Sequence, residues 1–212
     1  MKILFTVIFC FFALSAQADC PQFYPNSQKI EIPGTVELCN SFYGVAYDEA
    51  KNETIISFEK FRSGGGVERT NNFKSDSRLN KATRPAPRDY LHSGLDLGHM
   101  TPAGDATTPG EMSDTFLLSN MSPQEPTLNR KAWRLMEMAV RKQKPDYIVT
   151  GNIYSNNPKT IGAHFVPVPT GYFKAVWKNG KVTGYCANNQ PNAIVSSCSL
   201  DEIEQASGLT LH

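Results

Sequence analysis

Four cysteines, in two pairs near the ends of the chain, limit what this sequence can fold into. Cys20 and Cys39 stand at one end and Cys186 and Cys198 at the other, while a fifth, Cys10, lies in an apolar leader. Lys2 precedes the run Ile3 to Leu14, which is broken only by Thr6, and Ala16-Gln17-Ala18 has the small-x-small form of a cleavage site. Residues 1–18 therefore read as a signal peptide, with a mature chain beginning at Asp19 and destined for the periplasm or the exterior. The apolar run is shorter than the roughly twenty residues a membrane span requires. No later stretch approaches that length, so no stable membrane association is expected. In an oxidising compartment the remaining four cysteines allow three disulfide pairings. The local pairing, Cys20 with Cys39 and Cys186 with Cys198, would tie down both ends of the chain, each loop contributing about 3 kcal/mol. Zinc is the competing use, but there is no C-x-x-C spacing and the two pairs lie far apart in sequence.

Cleavage after Ala18 would remove Lys2 and bring the formal charge from +1 to neutrality, which excludes a protein coated in positive charge but not one with a basic face. Two stretches are candidates for such a face. Between residues 60 and 90, Lys60, Arg62, Arg69, Lys74, Arg78, Lys81, Arg84 and Arg88 face only Glu68, Asp76 and Asp89 in acid. This proline-containing, weakly periodic stretch reads as an exposed loop suited to a phosphodiester backbone or to solvent. The second is the stretch from Asn129 to Lys142, which lacks Gly and Pro. It places Trp133, Met136 and Val140 at helical spacing and carries Arg130, Lys131, Arg134, Arg141 and Lys142 with one acid, Glu137.

Around that helix the pattern is one of strands. Phe42–Asp48, Thr54–Lys60, Tyr147–Gly151, Ile161–Pro169, Tyr172–Trp177 and Lys181–Tyr185 are apolar, aromatic or β-branched, and Pro191–Ser197 holds room for one more. Asn179-Gly180 is a hairpin turn and Ser63-Gly64-Gly65-Gly66 a loop without the G-K-[ST] ending of a phosphate cradle. Ser199 and Glu202 form a capping box at the start of a C-terminal helix that Gly208 would stop. The whole predicts a single α+β domain over residues 19–212.

The chemistry is placed at Asp96-Leu97-Gly98-His99. A histidine titrates nearest neutrality and is the usual general base, and Gly98 permits close backbone approach beside it. About thirty residues on, Asn129 offers a carboxamide oxygen to a hard cation whose shell waters and a phosphate could complete. Glu137, eight residues further on an α-helix, would lie about 12 Å along the axis and roughly 80° round. Its long side chain leans back toward the N-terminus and could reach the waters of such an ion. The bland alternatives are that Asn129 caps the helix and that Glu137 pairs with Arg141. His92, His164 and His212 belong to no second ligand set, and Trp133 reads as helix core.

Several blocks in order resemble the DNA/RNA non-specific endonucleases of the ββα-metal type, which include secreted bacterial nucleases and mitochondrial endonuclease G. They are Val67-Glu68-Arg69-Thr70-Asn71-Asn72-Phe73, Gly94-Leu95-Asp96-Leu97-Gly98-His99, Leu118-Ser119-Asn120-Met121-Ser122-Pro123-Gln124, Leu128-Asn129-Arg130-Lys131-Ala132-Trp133 and Asp201-Glu202-Ile203-Glu204. The resemblance runs from about Tyr43 to Leu209. It implies an α+β domain with a mixed β-sheet core and a ββα-metal active-site module. His99 would be the general base for attack of water on a phosphodiester, and Asn129 the direct ligand of Mg²⁺, with Mn²⁺ or another divalent cation as a substitute. Glu137 would position the metal's waters and Arg69 would stabilise charge on phosphorus. Asp96 would be the supporting acid, and Asn120, Arg130 and Arg134 would meet the substrate. DNA and RNA are the implied partners, with a second copy of the chain and a protein inhibitor as further candidates. Leu97 departs from the family's commonest motif, which has Arg there. That departure keeps a second function open: a non-catalytic or weakly active nucleic-acid-binding protein on the same fold.

Overall fold

The computed structural model describes residues 19–211, so the expected signal peptide lies outside the described residues. The chain opens with two short 3₁₀ turns and then lays down three strands, β1 (Val36–Cys39), β2 (Tyr43–Asp48) and β3 (Glu53–Lys60). A long irregular segment leads to β4 (Asp96–His99), helix α1 (Pro109–Thr115) and β5 (Met121–Gln124). A π-helical turn over Leu128–Trp133 runs directly into α2 (Arg134–Gln143). The rest is β6 (Tyr147–Ile153), the two-residue β7 (Thr160–Ile161) and β8 (Val166–Pro167), β9 (Gly171–Lys178), β10 (Lys181–Asn188), β11 (Ser196–Cys198) and α3 (Leu200–Ser207).

Seven strands form the main sheet in the order β1-β2-β3-β6-β9-β10-β11, antiparallel at every pairing. Both faces are covered, which explains why β2, β6 and β9 are buried along most of their length and read as near-continuous apolar runs rather than as alternation. On one face Ile56, Phe58, Val149, Phe173, Ala175 and Trp177 pack with Tyr24 of the N-terminal arm and Ile203 of α3. Gly151 makes room there, since a Cβ on it would come within 2.1 Å of the Phe173 ring. On the other face Ile148, Tyr172 and Val176 receive Leu128, Trp133, Met136 and Val140 from the π turn and α2. Trp133 is thus core, 2% exposed, and the helix that carries the candidate site is anchored through it.

The hairpin at Asn179-Gly180 forms with positive φ at both residues, and the Ser199–Glu202 capping box closes as its spacing predicts. The expected strand over Ile161–Pro169 is reduced to the β7–β8 pair, because Gly162 and Phe165 both take positive φ and turn the chain between them. The helix expected from Asn129 begins as a π turn. Strands β1, β4 and β5 and helix α1 go beyond the sequence reading; each is too short to carry a clear period.

Both local disulfides are present, Cys20–Cys39 and Cys186–Cys198. They sit at opposite edges of the sheet, since Cys39 lies on β1 and Cys198 on β11. No described helix is long and apolar enough to cross a membrane. Replacing Cys186 and Cys198 together by Ala should lower unfolding stability by about 3 kcal/mol in a denaturant titration. The fold should be kept below the transition, read as unchanged far-UV circular dichroism.

Candidate active site

Strands β4 and β5 pair antiparallel, with His99 opposite Met121 and Gly98 opposite Ser122, and the helix follows at once, giving a ββα unit. Gly98 lies against the side chain of Gln124: a Cβ there would stand 2.4 Å from Oε1. The chain between the strands is held by Asn120, which is fully buried. Its Oδ1 accepts from the Thr101 amide at 2.9 Å, and its Nδ2 donates to the Thr101 and Thr115 carbonyls at 2.9 and 3.0 Å. The substrate contact expected of Asn120 is therefore corrected. With both ends of its amide spent on backbone, it fixes the loop that leaves His99.

The His99 ring meets Phe116 edge-on at 4.9 Å between centroids and Phe73 at 5.9 Å. Burial among these rings, helped by the charge of Arg69, draws its pKa down to about 3, so the imidazole is neutral at physiological pH. Its Nε2 is buried without a hydrogen-bond partner among the described residues. The Arg69 guanidinium stands over the same Phe116 ring at 4.9 Å and donates from Nε to Asn71 at 2.7 Å. Arg69, His99, Asn129, Arg130, Arg134 and Glu137 line one groove of about 630 Å³.

Neither bland reading of the helix holds. Glu125, not Asn129, caps it, accepting from the Leu128 amide at 2.8 Å and the Thr127 hydroxyl at 2.6 Å. Arg141 turns away from Glu137 to pair with Asp105. The π turn also replaces the ideal α-helical spacing between Asn129 and Glu137, since i→i+5 bonding takes more residues per turn and rotates the residues that follow. Asp96 accepts from Asn129 Nδ2 at 2.9 Å and from Arg130 Nε and Nη2 at 2.8 and 2.5 Å. With Nδ2 committed to Asp96, Oδ1 is the Asn129 atom left for a cation. Arg130 is largely exposed yet held by this two-pronged clamp, and Arg134 donates to the Arg130 carbonyl at 3.2 Å.

Beneath Glu137 lies a buried set of charges the sequence reading did not single out. Lys174 is 1% exposed and donates to Thr150, with its ammonium 5.8 Å from the centre of the Trp133 ring. Glu59 is equally buried, and neither carboxyl oxygen has a hydrogen-bond partner among the described residues. Burial first, and the negative charge of Asp105 next, hold its carboxyl well above the usual range. The available signal was Lys174, a charge in the middle of the apolar run of β9; Glu59, next to Lys60 at the end of β3, gave none. The basic segment over residues 60–90 is irregular and largely exposed, as expected, and brings Arg69 to the groove, but several of its charges are paired. Arg62 pairs with Glu111 at 2.7 Å, Arg78 with Asp76 at 2.6 Å, and Lys74 and Arg84 bond Ser113 and backbone carbonyls. His164 likewise meets Asp89 at 2.7 Å, a structural pair.

The donor set suits a hard divalent cation: a carboxamide oxygen oriented by Asp96, and a Glu137 carboxylate whose Oε1 is sealed from solvent without a partner. Desolvation raises the Glu137 pKa from 4.5 to about 7. Unfolding restores the ordinary value, so between pH 4.5 and 7 the unfolded chain gives up its proton first, and the native state loses stability as pH rises through that window. In EDTA, Glu137→Gln should therefore be more stable than wild type by on the order of 2 kcal/mol above pH 7, with the gap closing below pH 4.5. Chemical unfolding across pH measures it; a gap that does not change with pH would contradict a desolvated Glu137.

Comparison with known proteins agrees with this geometry. The family model for DNA/RNA non-specific endonuclease matches residues 22–212. Nuclease C1 of Cunninghamella echinulata var. echinulata is 30% identical over 224 residues, 88% of each chain. Human mitochondrial endonuclease G is 30% identical over 213 residues, covering 85% of this chain and 71% of that one. Among solved structures, the EndoG/EndoGI complex, described as revealing the mechanism of EndoG inhibition, superposes with a TM-score of 0.73 at 26% identity over 82% of this chain and 84% of that one. The ββα unit, its groove and these matches together make this chain a member of the DNA/RNA non-specific endonucleases, metal-dependent hydrolases of nucleic acid.

Proposed function

We propose that this protein is exported, loses its first 18 residues, and cleaves DNA and RNA phosphodiester bonds with Mg²⁺ bound at Asn129. The observation that carries the reading is the groove itself. A neutral His99 with an unpartnered Nε2, a Glu137 with an unpartnered Oε1, and the Arg69 guanidinium all line it. Such unpaired buried atoms are costly unless a substrate, an ion or its waters meet them.

His99 takes the proton of the attacking water through its unpartnered Nε2. Arg69, stacked on Phe116, meets the negative charge that grows on the phosphate oxygens. Asp96 is a positioning residue: it fixes which Asn129 atom is available and holds the Arg130 guanidinium at the mouth of the groove. Glu137, with an unpartnered Oε1, would hold the waters of a cation bound beside Asn129. A divalent cation bound there would supply positive charge for the phosphorane and for the leaving oxygen. Export is supported by the two disulfides, which persist in oxidising compartments. A protein inhibitor is a natural partner, as the complex of endonuclease G with its inhibitor suggests.

Plasmid DNA should be nicked in Mg²⁺ and protected by EDTA. His99→Ala should lower the rate at least about 10²-fold with the melting transition retained; full activity in that variant would exclude His99 as the base. Asp96→Asn should raise the Mg²⁺ concentration for half-maximal activity by about 10-fold or more, because the Asn129 amide loses its fixed orientation; titration of rate against Mg²⁺ measures it.

A further inference from the structure

Past Leu97 the groove opens into a second hollow of about 370 Å³, and Arg69, Leu97, Asn129 and Arg130 line both. Its character is different. Phe73, Tyr90, Leu91 and Leu95 form the wall, and Leu91 is 67% exposed, an apolar side chain facing water beside a site for a polyanion. The turn that presents it is pinned. Ser93 donates to the Tyr90 carbonyl at 2.7 Å and accepts from the Leu95 amide at 3.1 Å, with His92 held at a φ of 62°. A leucine fixed in this exposed position would gain from any flat apolar partner that covered it.

We propose that this hollow is a nucleobase subsite, holding the base of the nucleotide whose phosphate meets Arg69. The inference rests on the nuclease reading and deepens it. Continuity with the groove selects the occupant: a nucleotide anchored by its phosphate at Arg69 carries its base one sugar away, on the side where the lining turns apolar. The acid of the hollow is already spent, since Asp96 is occupied by Asn129 and Arg130. The wall therefore recognises the face of a base and not its edge, which favours bases over bare backbone without favouring one sequence. Leu97 belongs to this function. In place of the family's commoner arginine it joins the two hollows by an apolar floor, packed with Tyr90, Leu118 and Met121.

The test is binding in EDTA, followed by fluorescence anisotropy, of an oligothymidylate and of an abasic oligonucleotide of equal length. Wild type should prefer the oligothymidylate by about tenfold. Leu91→Ser, at an exposed position that the fold does not need, should lose most of that preference with unchanged affinity for the abasic strand. Leu91→Phe should widen it. Equal binding of the two strands by wild type, or a preference untouched by both Leu91 variants, would overturn the subsite. Because no cleavage occurs in EDTA, failure here is separate from failure of the nuclease reading, which plasmid nicking in Mg²⁺ reports.

Discussion

Asp96 is the point on which the site depends. One carboxylate ties the strand that carries His99 to the helical turn that carries Asn129, and it binds the Arg130 guanidinium as well. An aspartate placed three residues before His99 thus orients Asn129 rather than His99. The geometry of the two functional halves is coupled through it. A charge-assisted clamp of this kind is stronger than a neutral hydrogen bond and sets orientation as well as distance.

The helix is built to be moved as little as possible. Trp133 anchors it against Tyr172, Glu125 caps its first turn, and Arg141 reaches across to Asp105. The buried Lys174 and Glu59 below add charges that a core would normally exclude. Their placement on the strand positions that face α2, with apolar residues on the alternate positions of β3 and β9, means that the sheet itself sets the electrostatics under Glu137. The π turn fits the same pattern, because it shifts the phase of the helix at the point where Asn129 must face the groove while Trp133 faces the core.

How much of this could be read beforehand depended on the physics of each piece. The long strands and the anchoring face of the helix were legible because apolar burial leaves a periodic record. His99, Asn129, Glu137 and Arg69 were legible as a set because their residue types suit one chemistry and their surrounding blocks match a family. Asn120 was misjudged as a substrate contact, since nothing local reveals that a polar side chain will be spent on the backbone of a loop folded over it. The basic loop was legible as an exposed segment but its free charge was overcounted for a related reason: cations counted along a chain do not disclose that Glu111 and Asp76 will meet Arg62 and Arg78 in space. The π turn was invisible, since its sequence is that of any good helix.

The two disulfides have a consequence for the protein's working life. Each fastens an edge strand of the sheet, and the loop closed by Cys186–Cys198 also meets the start of the helix, where Asn189 accepts from the Glu125 amide and the Asn192 amide donates to Thr127. Reduction would loosen the sheet at its margins, where proteases and unfolding begin. Redox conditions would therefore bear on how long each molecule survives. A chain fastened in this way would be more durable under oxidising conditions than under reducing ones.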